Sequence, residues 1–325
     1  MTQDSAAAYQ PRGVIPAAVL PFRADLSIDE ATFRAHLRDL AAVEGVTAIT
    51  INAHASEVAS CTFEEQRRVL AIALDELGAR GMPLVNGVYA DGSLEAARLA
   101  RMAAEGGAAA LLAFPPGPFT LDQNAEMALA HLRRVADAAP GLPIILFQYP
   151  LASRQGYPLP TLLRLVEAVP AVRAIKDWCN DVRLHERHVR ALHALSPRVN
   201  VLSTHSAWLL PSLVLGCDGL LSGAGSVIAD LQARLFHAVQ ADDLAEARCL
   251  YDRMHPVTEA FYADPFVDMH NRMKEALVLL GRLPAAHVRP PLVKLSGEEI
   301  ARIRAALVEA GLLEAGSAGA ARRAA

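Results

Sequence analysis

Eight short apolar runs, each followed by a stretch of helical periodicity, restrict this 325-residue chain more than any other feature. They read VIPAAVLPF (14–22), VTAITINA (46–53), PLVNGVYA (83–90), AAALLAFPP (108–116), LPIILFQYP (142–150), VRAIKDW (172–178), VNVLSTH (199–205) and GLLSGAG (219–225). Each is of strand length. In the intervening segments, such as 62–79 and 93–106, apolar residues recur three and four positions apart, the spacing of one helical face. Thr62 before FEEQ and Ser93 before LEAARLA read as helix N-caps.

Nearly continuous apolar strands alternating with helices belong in a parallel sheet covered on both faces. Eight such units are also what closes a (β/α)₈ TIM barrel, which takes roughly 200–250 residues. Here the units end near residue 240. An open, doubly wound α/β sheet satisfies the same pattern and remains the alternative. Beyond residue 240 the periodicity is helical only, at 242–263, 265–281 and 296–311, with no Gly-, Ser- or Pro-rich linker. The expected organisation is a disordered arm (1–12), a barrel (13–240), a helical extension packed on it (241–313) and a disordered tail (314–325) that includes GSAGAARRAA.

A formal charge of −4 without a basic face argues against a nucleic-acid partner. Cys61, Cys179, Cys217 and Cys249 are scattered without CxxC or zinc spacing, as free thiols in a reducing compartment would be. The N-terminus lacks the pattern of a signal peptide, and no apolar segment reaches the ~20 residues that span a bilayer. The expectation is a soluble, cytoplasmic protein without cofactor. His185 and His188, three apart on a helix at 181–195, have no carboxylate at ligand spacing and read as a solvated face rather than a metal site.

Only three lysines occur, Lys176, Lys274 and Lys294; the other strong bases are arginines. Lys176 lies near the carboxyl end of strand 172–178, where barrel enzymes place their chemistry. Alternation puts Val172, Ala174 and Lys176 on one side, and Arg173, Ile175 and Asp177 on the other. If the first set faces the lumen, the amine loses hydration in its charged form, its pKa falls, and it becomes a nucleophile toward carbonyl carbon. The plainer reading is a strand-end lysine in solvent or paired with Asp177. Arginine could fill that role, but a guanidinium cannot form an imine.

These residues, in order, resemble the dihydrodipicolinate synthase / N-acetylneuraminate lyase family of Schiff-base aldolases. GVIPAAVLPF matches the opening strand, NAHASE with TFEEQRRVL the GTTGE motif and its helix, and GLPIILFQYP the strand ending Tyr-Asn-x-Pro. VRAIKDW matches the imine-lysine strand, GCDGLLSGAG the last strand, and NRMKEALVLLG a C-terminal helix. The resemblance spans about Gly13 to Leu312. It implies a (β/α)₈ barrel with a helical tail, a homotetramer or homodimer, and a 2-oxo acid such as pyruvate held as an imine on Lys176.

Several family positions are altered. GTTGE becomes Ala53, His54, Ala55, Ser56 and Glu57, so the threonines that bind substrate carboxylate and relay protons are His54 and Ala55. The proton-transferring tyrosine is Phe147, which has no proton to give. The second relay tyrosine would fall in PPGPFT (115–120), where there is none. The chain is thus not expected to make dihydrodipicolinate efficiently. Tyr149 and His54 are candidate replacements as acid or base, against a wall residue and a surface histidine. The resemblance places Ala55, Ser56, Phe147 and Leu221 around the substrate, and Arg154 against a second carboxylate, or else in solvent. His205 and Ser206 fall at the mouth of the seventh strand, which makes them candidates to touch substrate. SGAGSV (222–227) offers amides to a phosphate or carboxylate, and DPFVDMHNRMKEAL (264–277) reads as a pocket cover or a subunit contact.

Three functions remain open at this point: a Schiff-base lyase, aldolase or dehydratase; a barrel without turnover that binds a keto acid as sensor or structural protein; and an imine-free enzyme of a phosphorylated ligand.

Overall fold

The computed structural model describes residues 9–315. Eight strands form one parallel sheet: β1 (Gly13–Pro16), β2 (Ile49–Ile51), β3 (Leu84–Val88), β4 (Ala110–Ala113), β5 (Ile144–Gln148), β6 (Val172–Asp177), β7 (Asn200–Ser203) and β8 (Gly219–Ser222). Seven lie inside their apolar runs, and β1 begins one residue before its run. Consecutive strands are neighbours, and β8 pairs with β1. Parallel bridges Val14–Val46 and Ala17–Thr50, with Ala18 N donating to Thr50 O at 2.9 Å, join β1 to the chain around β2. The ring is a (β/α)₈ TIM barrel, not an open sheet.

Helices α1 (Glu30–Ala41), α2 (Phe63–Leu77), α3 (Ser93–Glu105), α4 (Ala125–Ala138), α5 (Leu159–Ala168), α6 (Val182–His193), α7 (Leu209–Val214) and α8 (Gly225–Gln240) follow the strands in turn. Thr62 caps α2 through a full capping box with Glu65. For α3 the cap is Gly92 and not Ser93, whose hydroxyl meets His131 Nδ1 at 3.1 Å instead. After α8 come α9 (Leu244–Phe261), α10 (Met269–Leu279) and α11 (Gly297–Glu309). Residues 265–268, expected inside the helix 265–281, precede α10, and Phe266–Asp268 form a short 3₁₀ turn that brings Phe266 over the barrel mouth.

Two apolar layers result. Strand residues facing outward, such as Leu84, Leu111 and Ile175, pack under the helices, while Ile15, Val85, Leu112, Ile145, Leu202 and Leu221 fill the lumen. Both faces are therefore dry, which is why the strands read as continuous apolar runs. Of the arm expected to be disordered, residues 1–8 lie outside the described residues. Tyr9 packs against the lumen cluster, and Asn200 Nδ2 donates to Pro11 O at 2.9 Å, so 9–12 belong to the packed body. The tail from residue 316 lies outside the described residues.

Among the described residues no helix is long and apolar enough to cross a membrane.

Candidate active site

Register decides where Lys176 points. In β6 a bulge interrupts alternation: Ile144 pairs with Val172 but Ile145 with Ala174. Val172, expected beside Lys176, consequently turns to the outer layer with Ile175, while Ala174 stays in the lumen. Lys176 lies between Phe147 of β5 and Leu202 of β7. Its Nζ sits 4.1 Å from the centre of the Phe147 ring, and the residue is 6 % exposed. Among the described residues the ammonium has no carboxylate partner. Burial pulls its pKa down to about 7.

Asp177 faces the opposite side and does not pair with Lys176. Burial disfavours its charge, but hydrogen bonds from the rings of His185 and His188, each 2.8 Å away at Nδ1, hold it well below the usual carboxylate range. The two histidines are thus not on a solvated face: both are 0 % exposed, turned inward by a carboxylate from a neighbouring element. Burial opposes a charged His185 ring, yet its bonds to Asp177 and to Cys217 Sγ (3.1 Å) raise its pKa to about 10. Donor atoms of Asp177, Cys179, His185 and His205 lie within 4.8 Å of one another, close enough to surround a metal ion. Their hydrogen bonds run among themselves, however, and to Ser212 and the backbone. The cluster acts as a polar pin behind the strand that carries the lysine.

The chain after β2 supplies the next group. Asn52 and Glu57 adopt positive φ (50° and 51°), folding 54–56 into a tight turn. Asn52 Nδ2 donates to Gln66 O and Asn86 Oδ1, and Ser56 Oγ donates to Ala18 O at 2.9 Å, so Ser56 spends its hydroxyl on the scaffold. The Glu57 carboxylate accepts from Lys274 Nζ of α10 and from Arg289 N (3.0 Å). Held at both ends, the turn aims His54 inward. Its Nε2 lies 3.1 Å from Tyr149 Oη, and its ring packs on Phe114 at 4.9 Å. Burial, then the nearby charge of Lys176, pull its pKa to about 3, and burial pushes Tyr149 well above 10.

Gly87 of β3 makes this turn possible, since a Cβ there would sit 1.9 Å from Asn52 O. Gly87→Ala is expected to cost about 1–3 kcal/mol of stability, read from the urea midpoint, because backbone rather than a flexible side chain must give way.

Lys176 opens into a narrow cleft at the carboxyl ends of the strands. Ala55, His54 and Phe147 line it, as does Gly223 after β8. Tyr149 reaches it through His54, and Leu221 lies below in the lumen. Two other expected residues lie elsewhere. Arg154 is exposed and donates Nη1 to Leu121 O at 3.2 Å. His205 is buried behind β7, stacked on Trp208 at 3.8 Å. The turn at 222–227 points its amides inward, Ala224 N to Tyr262 Oη and Ser226 N to Gly223 O, which leaves little for a phosphate.

The chain beyond the barrel contributes what the sequence reading left undecided: Tyr262, Phe266, Met269 and His270 form the far wall. His270 is 7 % exposed, and burial, then His54 and Lys176, hold its pKa well below 6.5. Only the aromatic and polar start of 264–277 hinted at this.

The model of the dihydrodipicolinate synthetase family matches residues 10–310. A DapA-like lyase of Halobacterium salinarum is 31 % identical over 303 residues, covering 93 % of this chain and 94 % of the relative. A 4-hydroxy-tetrahydrodipicolinate synthase of Salinibacter ruber is 31 % identical over 294 residues, covering 90 % and 93 %. The solved structure of YagE, a prophage protein from E. coli K12 in complex with pyruvate, superposes with a TM-score of 0.85 at 24 % identity, covering 93 % and 99 %. With a family match along nearly its whole length, the chain belongs to the dihydrodipicolinate synthetase family, whose members are lyases of the class I aldolase type.

Proposed function

We propose that the chain is a Schiff-base lyase that binds a small 2-oxo acid, pyruvate in the simplest case, as an imine on Lys176. The observation that carries this is a lone amine, buried to a pKa of about 7, at the floor of the cleft where strands end. About half of it is neutral at pH 7, where a solvated lysine would be almost wholly charged. Nζ adds to the keto carbon, whose oxygen leaves as water. The imine then draws electrons from the neighbouring carbon, so a proton or a carbon fragment can depart from it. The pyruvate in YagE supports the choice of ligand.

Proton transfer falls to the pair Tyr149–His54. Phe147 cannot take part, and a 2-oxo acid's carboxylate would raise the pKa of the His54 ring beside it. His54, backbone amides of its turn and the cationic imine are the groups offered to that carboxylate. Assembly as a homotetramer or homodimer belongs to the same reading.

Borohydride added with pyruvate is expected to leave a reduced adduct on Lys176, mapped by peptide mass spectrometry. The rate of capture should rise through about pH 7 and level off above it, following the neutral amine. Adduct on other lysines only, or a profile rising toward pH 10, would contradict the assignment. Tyr149→Phe is expected to retain capture but lower turnover by about 10²–10⁴-fold. Equal turnover would remove Tyr149 from the mechanism.

The sensor reading keeps one specific support, the phenylalanine at 147. Capture without turnover of any 2-oxo acid would favour it.

A further inference from the structure

We propose that the second reactant at this site is an uncharged, flat, apolar aldehyde, aromatic or conjugated, so that the enzyme makes or cleaves 4-hydroxy-2-oxo acids bearing such a group. This rests on the Schiff-base reading above and concerns what lies beside the imine.

Outward from Lys176 the wall is a run of aromatic faces. Phe147 lies against the amine, and Trp178 follows at 6.5 Å between ring centres. Trp178 stacks on Phe266 at 5.3 Å and 10°, and Phe266 lies over Tyr262 at 5.8 Å and 29°. Trp178 and Phe266 are only half-buried. Each gives ring surface to this stack, and the part left uncovered borders the cleft as apolar aromatic surface against which a planar apolar group can pack. A second cleft, of about 340 Å³, lies beside the first and shares His54, Met269 and His270 with it as walls. Its own walls include Val58, Tyr89, Val267 and Leu292, which gives room for a ring and its substituents.

Charge points the same way. Besides Lys176, no Asp, Glu, Lys or Arg side chain lines the first cleft among the described residues. In the second, Glu57 and Arg289 are committed: Glu57 to Lys274 and Arg289 N, and the Arg289 guanidinium to Glu65, Leu26 O and Ser60 O. Arg154, the candidate for a second carboxylate, is bonded to Leu121 O outside the cleft. An aldehyde carrying both an ammonium and a carboxylate would surrender its hydration and meet no opposite charge. An aryl aldehyde loses nothing comparable and covers apolar surface.

The chemistry balances without another reagent. Loss of a proton from the methyl carbon of the imine gives an enamine. That carbon bonds to the aldehyde carbon, whose oxygen takes up a proton, and water then releases the product and restores the amine. Cleavage is the reverse.

The test uses the full chain, first with pyruvate and borohydride, and then with saturating pyruvate and three aldehydes: benzaldehyde, acetaldehyde and 2-amino-4-oxobutanoate. Product is followed by liquid chromatography and mass spectrometry. The expected kcat/KM for benzaldehyde exceeds that for acetaldehyde by about 10–100-fold, the scale of burying one ring, and exceeds that for the amino aldehyde by at least as much. Phe266→Ala should reduce the benzaldehyde-to-acetaldehyde ratio about tenfold, and Phe266→Leu by less, since apolar bulk is kept. Equal or better use of the amino aldehyde overturns the inference. So does turnover with none of the three, or a Phe266→Ala variant, folded by circular dichroism, whose ratio is unchanged. Capture on Lys176 without the aromatic preference sinks only this inference, whereas failure of capture sinks the Schiff-base reading and this one with it.

Discussion

Lys176→Arg is expected to abolish borohydride capture and to lower turnover by at least about 10⁴-fold, the scale seen when a covalent nucleophile is removed. Arginine keeps the positive charge, so the comparison isolates the capacity to form an imine. Because a buried guanidinium at this position could itself disturb the lumen, Lys176→Met is the companion variant. It matches the length of the stem, packs on Phe147 and Leu202, and should be equally inactive. Retained activity in either would favour the imine-free alternative instead.

The same variant carries a stability prediction of opposite sign. The folded-state pKa of Lys176, about 7, lies below the ordinary lysine value of 10.5. Between those values the unfolded chain holds a proton that the folded chain lacks, so this residue makes stability rise with pH across that window. Below about 7 the cost of burying the charge is present in full; above 10.5 it is gone. Lys176→Met removes this cost. It should therefore be more stable than the parent, with the gain largest at about pH 6 and declining toward pH 10. The change cannot exceed about 1.4 kcal/mol per pH unit. Urea midpoints of the two proteins at several pH values read it directly. A gain that does not vary with pH would mean that the amine is not desolvated in the native state.

Asp177→Ala is expected to destabilise the fold by about 3–5 kcal/mol, because it leaves a buried charged ring without its counter-ion. His185, His188 and the Cys179 amide all donate to this one carboxylate, at 2.8, 2.8 and 2.9 Å. The pH dependence identifies the cause. With a folded pKa of about 10, raised from 6.5, His185 contributes stability fully present below 6.5 and lost as pH rises through 10. Asp177, held low, contributes stability present above its ordinary pKa of 3.8 and lost only as pH falls through its folded value. The deficit of Asp177→Ala should accordingly be greatest near pH 5–6 and shrink toward pH 10. Asp177→Asn, which keeps shape and one acceptor oxygen, should lose less. A loss under about 1 kcal/mol at pH 6 would show the cluster to be unimportant to stability. Between pH 7 and 10 the His185 and Lys176 contributions run in opposite directions, so the parent protein's own profile is flatter than either variant's.

Local pattern carried much of this protein. Eight apolar runs became eight strands, the helical periodicities became the covering helices, and the order of elements required no distant information, because period and length reside in consecutive residues. Lys176 stood out for the same reason: its residue type and its place near a strand end are local facts. What only the tertiary structure decided were the meetings between residues far apart. The bulge in β6 that sends Val172 outward depends on pairing with β5. His185 and His188 looked like a polar face until a carboxylate from β6 was brought to them, since a helix surface is polar or buried according to what covers it. His54 meets Tyr149 across 95 positions, and the wall made by Phe266 and His270 comes from beyond the barrel altogether. A sequence by itself determines which segments can bury a face; which groups share the water-free space they enclose follows only from closing the chain on itself.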